Sequence, residues 1–113
     1  MTRALMLGRR RKGRPIGVAV AEATALLVAA GWTVDARVVD RKRQLRRETR
    51  RGVKAGVDVV VAVGGDGAVL QVVQKLAETK VALGIVPKGT GNLLATNLGI
   101  PTEVDAAVQV VLG

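Results

Sequence analysis

VVVAVGGDGAVLQVVQKL, residues 59–76, is the stretch that decides the fold. Its first part belongs to a β-branched run over 57–63, which is typical of a strand buried on both faces of a parallel sheet. Turn-forming residues follow at 64–67, and a helix is predicted from 68 to about 78. The stretch therefore predicts a strand, a glycine-rich turn and a helix in succession.

The same alternation continues on both sides of this stretch. Strands are predicted over 3–8, 32–39 and 81–86, and helices over 16–30, 41–55, 92–98 and 102–112. Pro15 is expected at the first position of the first helix, Gly31 as its C-terminal cap and Thr102 as the N-cap of the last helix. The pattern predicts an α/β fold in one domain over residues 1–113, with an open, mostly parallel sheet and helices on both faces.

The amino-acid composition excludes several kinds of chemistry. The 113 residues include no His, no Cys and no Ser, so a Ser–His or Cys–His catalytic pair is impossible and a zinc site lacks its usual ligands. Hydrophobic residues make up 49% of the chain, with one Trp and no Phe or Tyr, so an aliphatic core is expected. The remaining carboxylates, cations, Thr, Asn and backbone amides suit magnesium and phosphate chemistry.

Positive charge is concentrated in the first half of the chain. Residues 1–56 contain 15 Lys or Arg against 4 Asp or Glu, whereas residues 57–113 contain 3 against 5. The basic run over 41–54 is interpreted first as a solvated helix face, and second as a surface attracted to an anionic membrane. Nucleic-acid binding is the least favoured interpretation, because no aromatic side chain accompanies these charges for base stacking.

Two glycine-rich loops form the candidate functional site. Residues 64–67 follow the predicted strand over 57–63, and residues 89–91 follow the predicted strand over 81–86. Ligands of open α/β sheets bind beyond the carboxyl ends of the strands, and glycines let a backbone approach phosphate closely. Amides at the start of the following helix also point toward an anion. The loops together predict a phosphate site, although each alone is also an ordinary turn sequence.

Asp66 is the only carboxylate in the first loop. It would repel bare phosphate, so we expect either a Mg²⁺ ion that bridges it to phosphate oxygens or a role in accepting the proton of a substrate hydroxyl. Lys88, before the second loop, either faces phosphate or is simply exposed. The second loop does not match the common nucleotide motifs, since Leu94 replaces the third glycine of the dinucleotide pattern and Thr90 stands where a P-loop requires Lys.

VVVAVGGDGAVLQVVQKL (59–76) and LGIVPKGTGNLLATNLGIP (83–101) together resemble the diacylglycerol kinase catalytic domain family, which includes bacterial lipid kinases, ceramide kinases and sphingosine kinases. The resemblance is close over about residues 57–101. It implies the nucleotide-binding domain of an enzyme that transfers the γ-phosphate of ATP to a lipid hydroxyl, such as that of diacylglycerol or sphingosine. Asp66 would then be catalytic and bind Mg²⁺. The candidate nucleotide-binding residues come from both loops: Gly64, Gly65, Gly67, Ala68, Lys88, Gly89, Thr90, Gly91 and Asn92.

Three places depart from the family's pattern. Ala68 stands where a Thr is usual, although sphingosine kinases have Leu there, and Gln71 stands where a Glu is common. The family's first strand usually ends in Asn-Pro with a nearby Ser-Gly, whereas residues 8–13 here read GRRRKG. This basic loop is interpreted first as a contact to the ATP phosphates, through its glycines and positive charge, and second as merely a basic turn.

Other interpretations concern the class of protein and its partners. NAD kinases share the GGDG loop but differ at the second motif, so they are the alternative among enzymes. Outside enzymes, the alternative is a non-catalytic module that binds anionic membrane or nucleic acid through its basic first half. Family members carry a second, mostly β domain, so the chain is expected to be the incomplete fragment of a longer two-domain kinase, with a stand-alone nucleotide-binding module as the alternative.

Location and assembly are also predicted from the sequence. The helix predicted over 16–30 is apolar nearly all round, so it is expected either to lie centrally in its layer or to be covered by a partner, which would be a second copy or the missing domain. We find neither a signal peptide nor the roughly 20 apolar residues that a membrane-spanning helix needs. A cytoplasmic location is therefore expected, with peripheral attachment to a membrane as an option.

Overall fold

A computed structural model describes residues 2–11, 16–87, 99–100 and 104–112 of the chain. Within these residues, strands and helices alternate as predicted. The strands are β1 (Arg3–Arg9), β2 (Thr33–Val39), β3 (Val59–Gly64) and β4 (Ala82–Pro87). The helices are α1 (Gly17–Ala29), α2 (Lys42–Ala55), α3 (Asp66–Leu76) and α4 (Val104–Leu112).

The four strands form one parallel sheet in the order β2-β1-β3-β4. Every residue of β3 is buried, as the β-branched run predicts for a central strand. In β1, the residues between its two ends are buried as well. The predicted open, parallel α/β fold is therefore confirmed.

The helices cover the sheet on both faces. Successive residues of a strand point to opposite faces, so Ala4 and Met6 of β1 enter one core cluster while Leu5 and Leu7 enter the other. Helices α1 and α4 close the first cluster, and α2 and α3 close the second. Both clusters consist of aliphatic side chains, as the composition predicts.

Several predicted boundaries need correction. Helix α1 begins at Gly17 and ends before Gly31, whose φ of 93° confirms the predicted glycine cap. Helix α3 begins at Asp66, two residues before the predicted start at 68, and ends at Leu76. The predicted roles of Pro15 and Thr102 and the predicted helix over 92–98 lie outside the described residues.

Helix α1 is only partly covered within the described residues. It packs on the sheet through Ala19, Val20, Ala23 and Leu27, and α4 lies beside it. Val18 and Val28 keep 67% and 52% of their surface exposed. The prediction that a further domain, a partner or a second copy covers this helix stays a prediction.

Candidate functional site

The candidate site lies at the carboxyl edge of the sheet, between β1 and β3. From these two neighbouring strands the chain leaves in opposite directions, because β2 lies beyond β1 and β4 lies beyond β3. Gly8, near the end of β1, is paired in register with Val63, next to the end of β3. Open α/β sheets bind ligands at such a reversal of strand order. The loop that follows β3 therefore stands where a ligand is expected.

The turn from β3 into α3 depends on Gly64. Its φ of 150° lies in the region that side-chain-bearing residues rarely adopt. A Cβ at this position would also lie 3.2 Å from Cβ of Ala68, one helical turn ahead. Gly65 then acts as N-cap, since its carbonyl accepts the first helical hydrogen bond from Val69 at 3.1 Å. Two glycines thus allow the chain to enter a helix within two residues of the strand.

The sequence had indicated a loop at Asp66 and Gly67, but both residues belong to the first turn of α3. A carboxylate in the first helical turn is stabilised by the positive end of the helix dipole. Sequence reasoning missed this start because Gly and Asp also form turns. The correction matters for the site, since Asp66 is held by regular helical geometry and is half-buried.

The first turn of α3 also presents backbone donors to the carboxyl edge. A helix leaves its first N–H groups without carbonyl partners inside the helix, and here these include the amides of Gly67 and Ala68. Gly67 has no β-carbon, so an anion can approach the backbone closely at this residue. Such a helix start is chemically suited to phosphate.

Lys42 brings a positive charge to this turn. A Cβ placed on Gly67 would lie 3.8 Å from Cε and 3.9 Å from Nζ of Lys42, which is the first residue of α2. The lysine side chain therefore lies over the start of α3, on an exposed surface. Sequence reasoning did not single out Lys42, because the contact joins two helices that are separated by β3.

Arg46 and Gln71 connect α2 to α3 one turn further along. The guanidinium of Arg46 donates a hydrogen bond to the side-chain carbonyl oxygen of Gln71, and Gln71 is 9% exposed. Gln71 is the position at which the sequence departs from the Glu that resembling proteins often carry. The buried amide of Gln71 thus accepts a hydrogen bond from Arg46, whereas a Glu at this position would form a buried ion pair. This hydrogen bond fixes α2 relative to α3.

The basic loop after β1 continues along the end of β2. The Arg10 backbone amide donates to the carbonyl of Val39 at 2.6 Å, and the Arg10 guanidinium forms an ion pair with Asp40 at 2.8 Å. Arg9 Nε also donates to the Asp40 carbonyl, at 3.2 Å. These contacts tie the beginning of the loop to β2, and the predicted contact of this loop with phosphate stays a prediction.

The second predicted loop begins next to the first. Gly64 is paired in register with Pro87, the last residue of β4, so β4 ends directly beside the β3–α3 turn. Lys88, Gly89, Thr90, Gly91 and Asn92 lie outside the described residues. Their predicted role is therefore untested, whereas the strand ends that precede both loops are adjacent.

Acidic side chains do not gather at this edge within the part of the chain that the structure describes. No group of three or more Asp or Glu lies close enough there to hold a metal ion by itself. Mg²⁺ is commonly held by one or two carboxylates together with the phosphates of a substrate. A half-buried Asp66 beside phosphate-suited amides fits that mode of binding, in which the nucleotide supplies the other ligands.

A family model gives the first comparison with known proteins. The model described as "Diacylglycerol kinase catalytic domain" matches residues 10–113. This match extends the sequence resemblance, which was close only over about residues 57–101, into the basic first half.

Relatives and solved structures point the same way. Proteins from Escherichia coli strains that carry the name "Probable lipid kinase YegS" are 38% identical over 95 residues, which is 80% of this chain and 32% of theirs. A crystal structure of a diacylglycerol kinase from Bacillus anthracis strain Sterne superposes with a TM-score of 0.80 at 21% identity, over 97% of this chain and 41% of that one. A second structure from the same organism gives 0.82 at 22% identity, over 96% and 41%. These structures share the fold, and the chain spans about a third of the length of the relatives that it matches.

Proposed function

Since the chain belongs to the diacylglycerol kinase catalytic domain family, we propose that it is the ATP-binding domain of a kinase that phosphorylates a lipid hydroxyl. The observation that carries the proposal is the pairing of Gly64 with Pro87. It sets the strand ends that precede the two glycine-rich loops side by side at the carboxyl edge of the sheet. A polyphosphate bound there would meet the start of α3 and the chain that follows β4 at the same time.

The chemistry of phosphoryl transfer assigns a task to each group at this edge. The oxygen of the acceptor hydroxyl bonds to the γ-phosphorus, the bond from that phosphorus to the β–γ bridging oxygen breaks, and ADP leaves. The amides of Gly67 and Ala68 and the Lys42 ammonium hold phosphate oxygens. Catalysis of this kind depends mainly on positioning and on stabilising charge.

Asp66 is proposed to hold Mg²⁺ and to act in catalysis. Bound to Asp66 and phosphate, the ion would neutralise charge on the transferred group. The hydroxyl proton must also leave the acceptor, and the Asp66 carboxylate is our candidate to receive it. Asn at this position keeps an oxygen that can bind a metal but cannot take a proton, so Asp66→Asn and Asp66→Ala separate the two tasks.

The lipid acceptor and the rest of the active site belong to the proposal as well. The alignment with the relatives named as lipid kinases spans only 32% of their length. We propose that the acceptor, of the diacylglycerol or sphingosine type, is bound with the help of a further domain, as the resemblance implies. None of the described helices is long and apolar enough to cross a bilayer.

Titration of Mg·ATP into the chain tests the nucleotide site directly. The wild-type chain is expected to bind, and Asp66→Ala and Gly65→Asp are expected to lose most of that affinity. The first variant removes the proposed metal ligand, and the second puts a carboxylate beside the proposed phosphate. Glu22→Ala is the control, since it also removes one carboxylate, but from the exposed surface of α1. Equal binding by all four proteins would contradict the site.

A substrate assay separates the lipid kinase from the NAD kinase alternative. The chain extended to the length of its relatives is incubated with labelled ATP and either diacylglycerol, a sphingosine-like lipid or NAD. We expect label on a lipid and none on NAD. The Asp66→Asn protein is tested in the same assay. If it binds Mg·ATP but transfers no phosphate, the role of Asp66 is to accept the proton of the hydroxyl. If it no longer binds Mg·ATP, the role of Asp66 is to bind the metal.

A further inference from the structure

Helix α2 carries a line of exposed cations along its outer side. Arg43, Arg47, Arg50 and Lys54, here called the cationic row, follow one another at intervals of four, three and four residues. That spacing places them on one side of a helix. All four are exposed, whereas Leu45 and Thr49 on the inner side are fully buried. The row extends along about 16 Å, given a rise of about 1.5 Å per residue.

No carboxylate neutralises the cationic row within the residues that the structure describes. Glu48 is the only acid in α2, and its side chain is 10% exposed on the inner side. It pairs with Arg51 at 3.2 Å and with Arg37 at 3.9 Å, and both lie outside the row. The pKa of Arg37 is raised, chiefly by its hydrogen bond to Asp35 and further by the charges of Asp35 and Glu48. Asp35 and Glu48 are thus paired with arginines outside the cationic row.

An exposed helix face that serves only solubility usually alternates positive and negative side chains, because like charges three or four residues apart repel each other. The cationic row contains only repulsive neighbours of that kind. The stability of α2 therefore does not account for the row, whereas an external anionic surface would relieve the repulsion. The long aliphatic stems of Arg and Lys also let their charges move toward such a surface.

We propose that the cationic row docks on the anionic phospholipids of a bilayer. A straight row of charges on a convex helix suits a flat surface of phosphate headgroups, and each cation near such a surface adds to the attraction. Helix α2 contains no aromatic residue for stacking on nucleic-acid bases. The choice of a bilayer over a nucleic acid rests on the proposed function, because α2 begins at the edge of the sheet that carries the nucleotide site. The lipid acceptor would then lie in the surface against which α2 rests.

Vesicle co-sedimentation of the full chain tests the proposal without any kinase reaction. The vesicles contain phosphatidylcholine alone or a mixture with phosphatidylglycerol. We expect binding to the mixed vesicles only, weakened as salt rises. Arg47→Gln/Arg50→Gln is expected to lower the affinity about 20- to 30-fold at low salt, from roughly fivefold per charge. Arg47→Lys/Arg50→Lys keeps the charges and is expected to bind as the wild type does.

Lys75→Gln/Lys80→Gln is the matched control, since it removes two positive charges from other parts of the fold. We expect it to lower the affinity by less than threefold. Equal losses in the two Gln pairs would assign the attraction to net charge and overturn the docking row. Tighter binding to duplex DNA than to the mixed vesicles in the same buffer would also overturn it, in favour of a nucleic-acid surface.

Nucleotide binding distinguishes this inference from the proposed function. Asp66→Ala is expected to sediment with vesicles as the wild type does, because Asp66 is not part of the row. If wild-type chain binds Mg·ATP but not the mixed vesicles, the docking surface is wrong and the nucleotide site stands. If it binds vesicles through the row but does not bind Mg·ATP, the docking surface is supported and the proposed kinase function fails.

Discussion

Helices α1 and α2 pack on opposite faces of the same strand, β1, yet their sequences have little in common. Helix α1 has one charged residue among 13, Glu22, whereas α2 has seven Lys or Arg among 14. Each helix nevertheless buries only four residues. The fold therefore needs one narrow inner side from each helix, and the outer sides are free to serve other purposes. Apolar side chains remain on the outer side of α1 and cations on that of α2.

Close contact with β1 is the feature that the two helices share. On the α2 side the glycine is in the helix: a Cβ on Gly52 would lie 2.7 Å from Cδ2 of Leu5. On the α1 side the glycine is in the strand: a Cβ on Gly8 would lie 2.9 Å from Cγ2 of Val20 and 3.1 Å from Cγ1 of Ile16. On both faces of β1, a glycine allows the helix and the strand to approach closely. The glycine belongs to the helix on the α2 side and to the strand on the α1 side.

The largest effect is expected from Gly52→Val. The new side chain would overlap Leu5, which is 3% exposed and enclosed by its core cluster. Overpacking of this kind is expected to lower the free energy of unfolding by about 3 kcal/mol, measured by urea denaturation. Gly17→Ala in α1 is the control, because a Cβ there meets nothing within 4 Å. It should raise the stability by up to about 1 kcal/mol, and a similar loss in both variants would refute the contact.

Gly8→Ala tests the other face and is expected to cost about 2 kcal/mol. The added methyl group meets side-chain methyl and methylene groups of two residues, and both of these must shift. The cost should fall in the double variant Gly8→Ala/Val20→Ala, since the shorter residue 20 removes the closest of the contacts. Urea denaturation of the two single variants and the double variant gives the coupling energy. Strictly additive losses would show that Val20 does not limit this position.

The strands were predictable because their signal is local. An uninterrupted β-branched run can bury both faces only inside a parallel sheet, so β3 was predicted within two residues of its observed start and one of its end. The adjacency of the strand ends that precede the two loops was predictable for a related reason, since parallel strands bring all their carboxyl ends to one edge. The start of α3 was missed because Asp66 and Gly67 satisfy the rules for a turn as well as those for the first turn of a helix.

The contacts between helices were not predictable from the sequence. Lys42 lies over Gly67, and Arg46 donates to Gln71, and the two residues of each pair are 25 positions apart in the sequence. No periodicity in either helix indicates which residue of the other it meets. Gly52 did carry a signal, since glycine inside a helix costs about 1 kcal/mol relative to alanine and therefore usually has a packing reason. Its partner, Leu5, is visible only in the folded chain.

The two ends of α2 are expected to differ in their effect on nucleotide binding. Lys42→Met removes the charge beside the start of α3 and should weaken Mg·ATP binding about fivefold, the loss expected for one exposed charge contact. Lys54→Met removes an equal charge near the other end of the helix and should change the affinity by less than about twofold, because salt screens charges at such a distance. Isothermal titration at low and moderate salt measures both. Equal losses would mean that only the net charge of α2 matters.

The smallest effects are expected from two exposed arginines, with opposite signs. Arg10 pairs with Asp40 at 2.8 Å, but both side chains are more than 60% exposed, so Arg10→Gln should cost no more than about 0.5 kcal/mol. Arg47 has only like-charged neighbours along the cationic row, so Arg47→Gln should raise the free energy of unfolding by about 0.3 kcal/mol. Both changes should disappear in high salt. If Arg47→Gln destabilised the chain instead, the row would be stabilising α2 through contacts within the protein, and the comparison with α1 would lose its meaning.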